Sequence, residues 1–191
     1  MPFLFIGGLI AVLFFVQKST DKDDSMNRIY DLEDIDPIDQ GGGFKRDYDP
    51  QFETAADEHS VPFALIKAHA IAESSLNPRA FRDENPTKRI DREGWASRGL
   101  CQLLYWPGSA RFAQYGYPAS SLNNGEALFD PGVNTDIAAQ LIKSNLVACN
   151  GNLRDAINMY NTGKKESVYK APMGYVDKVL GYYNKLIKRS V

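Results

Sequence analysis

Among the carboxylates of this 191-residue chain, Glu73 stands out by its surroundings, Ala70-Ile71-Ala72-Glu73-Ser74-Ser75-Leu76-Asn77-Pro78. An apolar helical run leads into it. Pro78 must end that helix soon afterwards, because proline lacks an amide donor and restricts the residue before it. Two effects then act on the carboxyl: apolar neighbours disfavour its ionised form, and the carbonyl end of a helix carries partial negative charge. Both raise its pKa, and a carboxyl kept protonated near neutral pH is what a general acid needs to protonate a leaving oxygen. The plainer alternative is a surface glutamate at a helix end, a place the helix dipole itself disfavours.

The other reactive residues exclude more than they offer. Cys101 and Cys149 are the only cysteines, and neither has a His or Cys neighbour at metal-ligand spacing. We expect no metal and no cofactor. In an oxidising compartment the two could pair, or each could serve as a small buried hydrophobe. His59 and His69 are the only histidines. Neither is spaced for a metal or placed beside a nucleophile, so both are expected to pack or cap. No glycine-rich phosphate loop opens a helix after a strand. A formal net charge of -2 and a pI of about 5.7 argue against nucleic acid as a partner, since neutralising phosphates needs an excess of Lys and Arg.

The elements that must position Glu73 are helices. Ser60 is expected to cap a helix with Pro62 in its first turn and Phe63, Ile66, Ala70 and Ile71 on one face, ending near Asn77-Pro78. Further helices are expected from around Gly99, from Asn134 to about Ala148 with Ile137, Ala138, Leu141 and Leu146 facing the core, from Leu153 to Tyr160, and from Tyr175 to Lys188. No alternating run is long enough to suggest a strand, so residues 51–191 are predicted to form one mostly α domain. Residues 18–50, with the acidic stretch Asp31-Leu32-Glu33-Asp34-Ile35-Asp36 and the triplet Gly41-Gly42-Gly43, are expected to be a flexible tether. Residues 1–17 are expected to be a hydrophobic anchor helix or export signal, from the apolar run Phe3 to Val16. At about 1.5 Å rise per residue the run falls short of the roughly 30 Å hydrocarbon core, yet no small-x-small cleavage site follows it, which favours an uncleaved anchor.

Several segments in a fixed order give a more specific signal: Glu73-Ser74-Ser75-Leu76-Asn77-Pro78, then Ser97-Arg98-Gly99-Leu100-Cys101-Gln102-Leu103, then Tyr160-Asn161-Thr162-Gly163. Between the last two lies Leu128-Phe129-Asp130-Pro131-Gly132-Val133-Asn134. From about Ala55 to Leu186 the chain resembles the lysozyme-like soluble lytic transglycosylase family, whose signature is a Glu-Ser at a helix end, a Gly-Leu-x-Gln turn and a Tyr-Asn-x-Gly. The resemblance implies a lysozyme-like transglycosylase domain with Glu73 as the single catalytic acid and Ser74 supporting it. It implies that Gln102 contacts the sugar beside Ser97, that Gly99 permits a close approach, that the Tyr160 hydroxyl lies near the catalytic carboxyl, and that Asn161 belongs to the turn that follows. The implied partner is peptidoglycan, cut at the β-1,4 bond between N-acetylmuramic acid and N-acetylglucosamine with a 1,6-anhydro product. A location on the periplasmic or wall side of a membrane, held by the N-terminal helix, or in a virion membrane, would follow.

Two stretches depart from the family pattern. Residues 79–96 are longer and rich in charge, fitting either an elaborated groove rim or a solvated loop, and Leu103-Leu104-Tyr105-Trp106-Pro107-Gly108 carries extra residues. The rings of Tyr105 and Trp106 are candidates to stack on a sugar. A muramidase is the alternative chemistry and needs a second carboxylate about 5 to 9 Å from the first. Asp83, Glu84, Asp91 and Glu93 are its candidates. A tethered wall-binding or virion structural protein is the alternative of another class.

Overall fold

The computed structural model describes residues 45–188 except 86 and 173. The expected anchor and nearly all of the expected tether lie outside the described residues. No helix among the described residues is long and apolar enough to cross a membrane.

Among the described residues, five α-helices and one small sheet, joined in part by short 3-10 turns, follow in the order α1 (Asp49–His59), α2 (Phe63–Ser74), β1 (Phe81–Asp83), β2 (Ala96–Arg98), β3 (Leu103–Tyr105), α3 (Pro131–Ala148), α4 (Leu153–Thr162) and α5 (Tyr175–Ile187). α2 is the central helix. Leu65, Ile66, Ala68, Ala70 and Ile71 are all buried, so it has core on nearly every side. α5 packs along it, while α3 packs between α1 and α4 and contributes Ile137, Ala138, Ala139 and Ile142 to the same core.

α1 is a helix the sequence did not announce. Pro50 sits in its first turn, where a missing amide costs nothing, and Phe52, Ala55 and Ala56 recur at helical spacing on its buried face. α1 thus starts at Asp49, within the last two residues of the expected tether. Ser60, expected to open a helix, closes this one: it is left-handed (φ 53°) and its amide donates to the Ala56 carbonyl. Pro62 takes the capping position of α2 instead.

The three strands are antiparallel in the order β1-β2-β3, with Arg82 opposite Ser97 and Ala96 opposite Tyr105. They replace the helix expected from Gly99. Gly99 (φ 76°) and Gln102 (φ 47°) are both left-handed, which turns β2 back into β3 and forbids a continuous helix. The charge-rich segment 79–96 supplies β1 and the first residue of β2 and is otherwise the loop between them. Its loop is held by Asn85, whose Nδ2 donates to the Arg89 carbonyl at 2.7 Å while its Oδ1 accepts from the Arg89 amide at 2.8 Å. Cys101 and Cys149 are buried free thiols, not a disulfide.

Candidate active site

Glu73 is the penultimate residue of α2. The helix stops because Ser75 (φ 53°) and Leu76 (φ 65°) are both left-handed, and the Ser75 amide closes the last turn onto the Ile71 carbonyl at 3.1 Å. Two consecutive non-glycine residues in that conformation are unusual, and such backbone persists where packing enforces it. The packing here is Leu76, which is buried.

Ser74 fixes the loop that faces Glu73. Its Oγ donates to the Leu100 carbonyl at 2.7 Å and lies 3.1 Å from the Ala70 carbonyl, so it ties the end of α2 to the 99–102 turn. Asn134, fully buried on α3, holds the same turn from behind. Its Nδ2 donates to the Leu128 and Arg98 carbonyls at 2.8 and 3.0 Å, and its Oδ1 accepts from the Cys101 amide at 2.8 Å. Gly99 is pressed against this knot: a Cβ there would meet the Leu128 carbonyl oxygen at 2.2 Å and Asn134 Nδ2 at 2.3 Å. The close approach that glycine permits is therefore to the protein's own backbone.

The direct partner of the glutamate is Tyr175, the first residue of α5, whose hydroxyl donates to Glu73 Oε1 at 2.6 Å. This pairing spans 102 positions and was not visible in the sequence, where Tyr175 marked only a helix start. Tyr160, the expected neighbour, instead donates its hydroxyl to the Cys101 carbonyl at 2.8 Å. It is not bonded to the glutamate, yet after burial and Cys101 the Glu73 charge helps to push the Tyr160 hydroxyl well above the usual tyrosine pKa, and its ring packs on that of His69, 4.3 Å away and tilted by 34°. His69 Nδ1 is 3.3 Å from the Tyr175 hydroxyl. Since that hydroxyl gives its proton to Glu73, the His69 Nδ1–H is the donor in the second contact. Burial lowers the His69 pKa to about 3, which keeps the imidazole neutral and the arrangement fixed across the physiological range.

Burial is the largest influence on Glu73 and raises its pKa. The Tyr175 hydrogen bond and the charges of Arg82 and Lys178 oppose this, and Glu84 adds to it. Lys178 also donates from Nζ to the Ala72 carbonyl at 2.9 Å, which fastens α5 to the end of α2. With Oε1 occupied as an acceptor, the acid proton belongs on Oε2.

The sheet forms the facing wall. Glu84 Oε1 accepts from Arg82 Nε and from Ser97 Oγ, both at 2.6 Å. Ser97 is buried and serves this cluster, not an open groove. Of the four candidate second carboxylates, Glu84 alone enters the electrostatic surroundings of Glu73. Asp83 is bonded to Lys88 and the Asn85 amide, Asp91 pairs with Arg89, and Glu93 is exposed on the loop.

Gln102 is half-tied. Its Nε2 donates to the Ala80 and Gly99 carbonyls, both at 3.1 Å, which leaves only Oε1 to meet a ligand. Asn161 is exposed on the last turn of α4, apart from the hydrogen-bonded cluster around Glu73. The organising asparagine of that region is Asn158, which the sequence reading missed. It is fully buried and bonds the carbonyls of Lys164 and Tyr169 and the amide of Ala171 at 2.7 to 2.8 Å, holding the loop that leads to Tyr175. Tyr105 is a core residue, 1% exposed, and cannot stack on a sugar. Trp106 is half-buried and stacks on Trp95, with ring centroids 4.9 Å apart and planes at 21°.

The family model described as the transglycosylase SLT domain matches residues 50–171, more than half of the chain. The chain belongs to that family, and at family level it is a glycan-cleaving enzyme of the peptidoglycan transglycosylase type. The matched residues run from α1 through α4 and include Glu73, Ser74, Ser97, Gln102, Tyr160 and Asn161. Tyr175 lies just beyond them. No solved structure matches the chain at a significant level.

Proposed function

We propose that this protein is a lytic transglycosylase that cleaves the β-1,4 bond between N-acetylmuramic acid and N-acetylglucosamine, with Glu73 as its one general acid and base. The observation that carries this is a single mostly buried carboxyl, raised in pKa, with one oxygen fixed by the Tyr175 hydroxyl at 2.6 Å. In the first half-reaction Glu73 donates its proton to the leaving glycosidic oxygen as the bond to C1 breaks. In the second, the resulting carboxylate takes the proton of the muramoyl C6 hydroxyl as that oxygen bonds to C1. The proton balance closes, the glutamate is regenerated as an acid, and no water is consumed. Tyr175 suits both halves, because a donor into Oε1 stabilises the carboxylate when it forms without taking the proton from the acid. Ser74 acts one step back, by holding the 99–102 turn at the glutamate, and Gln102 Oε1 and Trp106 are the groups offered to the sugar. An envelope location, with the N-terminal apolar run as anchor, accompanies this function.

Glu84 favours one second reading. Its carboxylate could serve as base for an attacking water, which would make the enzyme a muramidase. Against this, Glu84 Oε1 already accepts from Arg82 and Ser97, so that oxygen is not open to take the proton of an attacking water. Digestion of purified cell wall in ¹⁸O-labelled water separates the two. The expected products are 1,6-anhydro ends, lighter by one water and free of label; labelled reducing ends would establish hydrolysis instead.

A further inference from the structure

His69 and Glu73 are four residues apart on α2, which places them on one face of the helix, a turn from each other. Tyr175, at the start of α5, bridges the two. Its hydroxyl lies 2.6 Å from Glu73 Oε1 and 3.3 Å from His69 Nδ1. A phenol has one proton, so it donates to one of these neighbours and accepts from the other. In the first arrangement His69 Nδ1–H donates to Tyr175, and Tyr175 donates to Glu73. In the second the protonated glutamate donates to Tyr175 and Tyr175 to a bare Nδ1, which ties up the acid proton inside the protein. The distances select the first: 2.6 Å suits a hydroxyl donating to a carboxyl oxygen, whereas 3.3 Å is long for the bond that carries the phenol's only proton.

We infer that His69 is a positioning residue for the acid: by filling the remaining lone pair of the Tyr175 oxygen it aims the hydroxyl proton at Glu73 Oε1 and leaves the acid proton on Oε2, free for the leaving oxygen. This rests on Glu73 being the acid of the proposed reaction. His69 is held for the task, at 1% exposure, with its ring against that of Tyr160. Burial keeps the imidazole neutral, so it carries one ring proton throughout the working range. Burial and then the Glu73 charge push the Tyr175 hydroxyl well above the usual tyrosine pKa, so it keeps the proton it directs. The other groups that act on Glu73 are Lys178 on α5 and Arg82 and Glu84 on the sheet side, with Tyr160 of α4 and Cys101 of the 99–102 turn inside its field. Among the described residues, only His69 and Glu73 hydrogen-bond the Tyr175 hydroxyl.

The sign of the effect follows. A donor into the phenol oxygen strengthens the phenol's own bond to the carboxylate, because successive hydrogen bonds polarise one another. His69 therefore works against burial, favouring the ionised form of Glu73. Without its N–H the hydroxyl is free to turn, the protonated glutamate can give its proton to Tyr175, and the acid gains stability in an idle arrangement. Removing the donor should slow the reaction while raising the Glu73 pKa further.

Two measurements on the full-length protein in detergent test this. Nitrogen-15 NMR of histidine-labelled parent protein reads the ring tautomers of its two histidines, with His69 assigned by its absence in His69→Leu. Nδ1 protonated and Nε2 bare from about pH 5 to 8 is the expected state of His69, and the reverse tautomer would overturn the assigned role. The second measurement compares His69→Leu with His69→Asn. Both lose the ring contact with Tyr160, but only asparagine returns an N–H near the position of Nδ1. His69→Leu is expected to lower kcat about tenfold and to move both the alkaline limb of the pH–rate profile and the Glu73 midpoint, read by carbon-13 NMR, upward by about half a unit. His69→Asn is expected to keep the limb of the parent and recover most of the rate. Damage that merely loosens the site moves the limb down, because burial is what raises the Glu73 pKa. A limb that stays or falls in His69→Leu, or a His69→Asn profile like that of His69→Leu, defeats the role given to His69. Tautomer and midpoint are read without any glycan being cut. The expected tautomer and midpoint shift in a protein that leaves walls intact therefore defeat only the proposed function, and wall cleavage by a protein with the reverse tautomer defeats only the role of His69.

Discussion

Glu73→Gln is expected to lower the rate of wall cleavage by at least about 10³-fold, or roughly 4 kcal/mol of transition-state stabilisation, while leaving the fold intact. The size of the effect follows from one carboxyl acting twice: the amide can neither protonate the leaving oxygen nor accept the C6 proton. The fold should survive because the glutamine carbonyl can still accept from the Tyr175 hydroxyl, as Glu73 Oε1 does at 2.6 Å. Stability should change in a pH-dependent way. The pKa of Glu73 is raised in the folded state, so its stabilising effect is complete below the unfolded value near 4.5 and is lost as pH rises through the folded value. The variant should therefore melt at or above the parent temperature in neutral and alkaline buffer, and the gap should narrow in acid. A zymogram on purified wall together with melting curves at two pH values checks both parts. A variant that lyses walls as well as the parent would remove Glu73 from the reaction.

The second large effect is structural. Gly99→Ala should destabilise the domain by about 3 to 5 kcal/mol, because alanine at φ 76° is strained and its Cβ would press on a backbone oxygen at 2.2 Å. A drop in melting temperature of about 10 °C is expected for a domain of this size. Gly116 supplies the control. It has a similar φ of 84° with nothing within 4 Å of an added Cβ, so Gly116→Ala should cost only about 1 kcal/mol. If the two variants melt together, the crowding by Leu128 and Asn134 is not what requires the glycine at position 99.

What the sequence disclosed about this fold depended on length and locality. α2, α3, α4 and α5 carry apolar residues at helical spacing over ten or more positions, and each was legible to within a few residues. The strands are three residues each, too short for an alternating pattern to register, and their pairing depends on contacts between segments. The turn at Gly99 was misread because Leu100, Cys101 and Leu103 look like one apolar helical face, whereas left-handed conformations at Gly99 and Gln102 reverse the chain there. α1 was hidden by its charge, being apolar only at the three positions it buries.

The site divides the same way. Glu73 was singled out from its local setting at the end of an apolar helix, and burial is the main cause of its raised pKa. Its hydrogen-bond partner was not, because Tyr175 meets it only through the packing of α5 on α2. Tyr160, expected near the carboxyl, bonds the Cys101 carbonyl within the field of Glu73 and packs on His69. Ser74 and Ser97 both turned out to spend their hydroxyls inside the protein, one on the Leu100 carbonyl and the other on Glu84. A motif thus marked positions that shape the cleft without specifying which of them point into it.

The account depends above all on Glu73 remaining un-ionised where other carboxyls have lost their proton. Carbon-13 NMR of glutamate-labelled protein, with the Glu73 resonance assigned by its absence in Glu73→Gln, measures this directly. A titration midpoint clearly above 4.5 is the expected result. A midpoint at or below that value would mean that the helix end and the buried setting do not hold the proton, and Glu73 could not be the acid that starts the reaction.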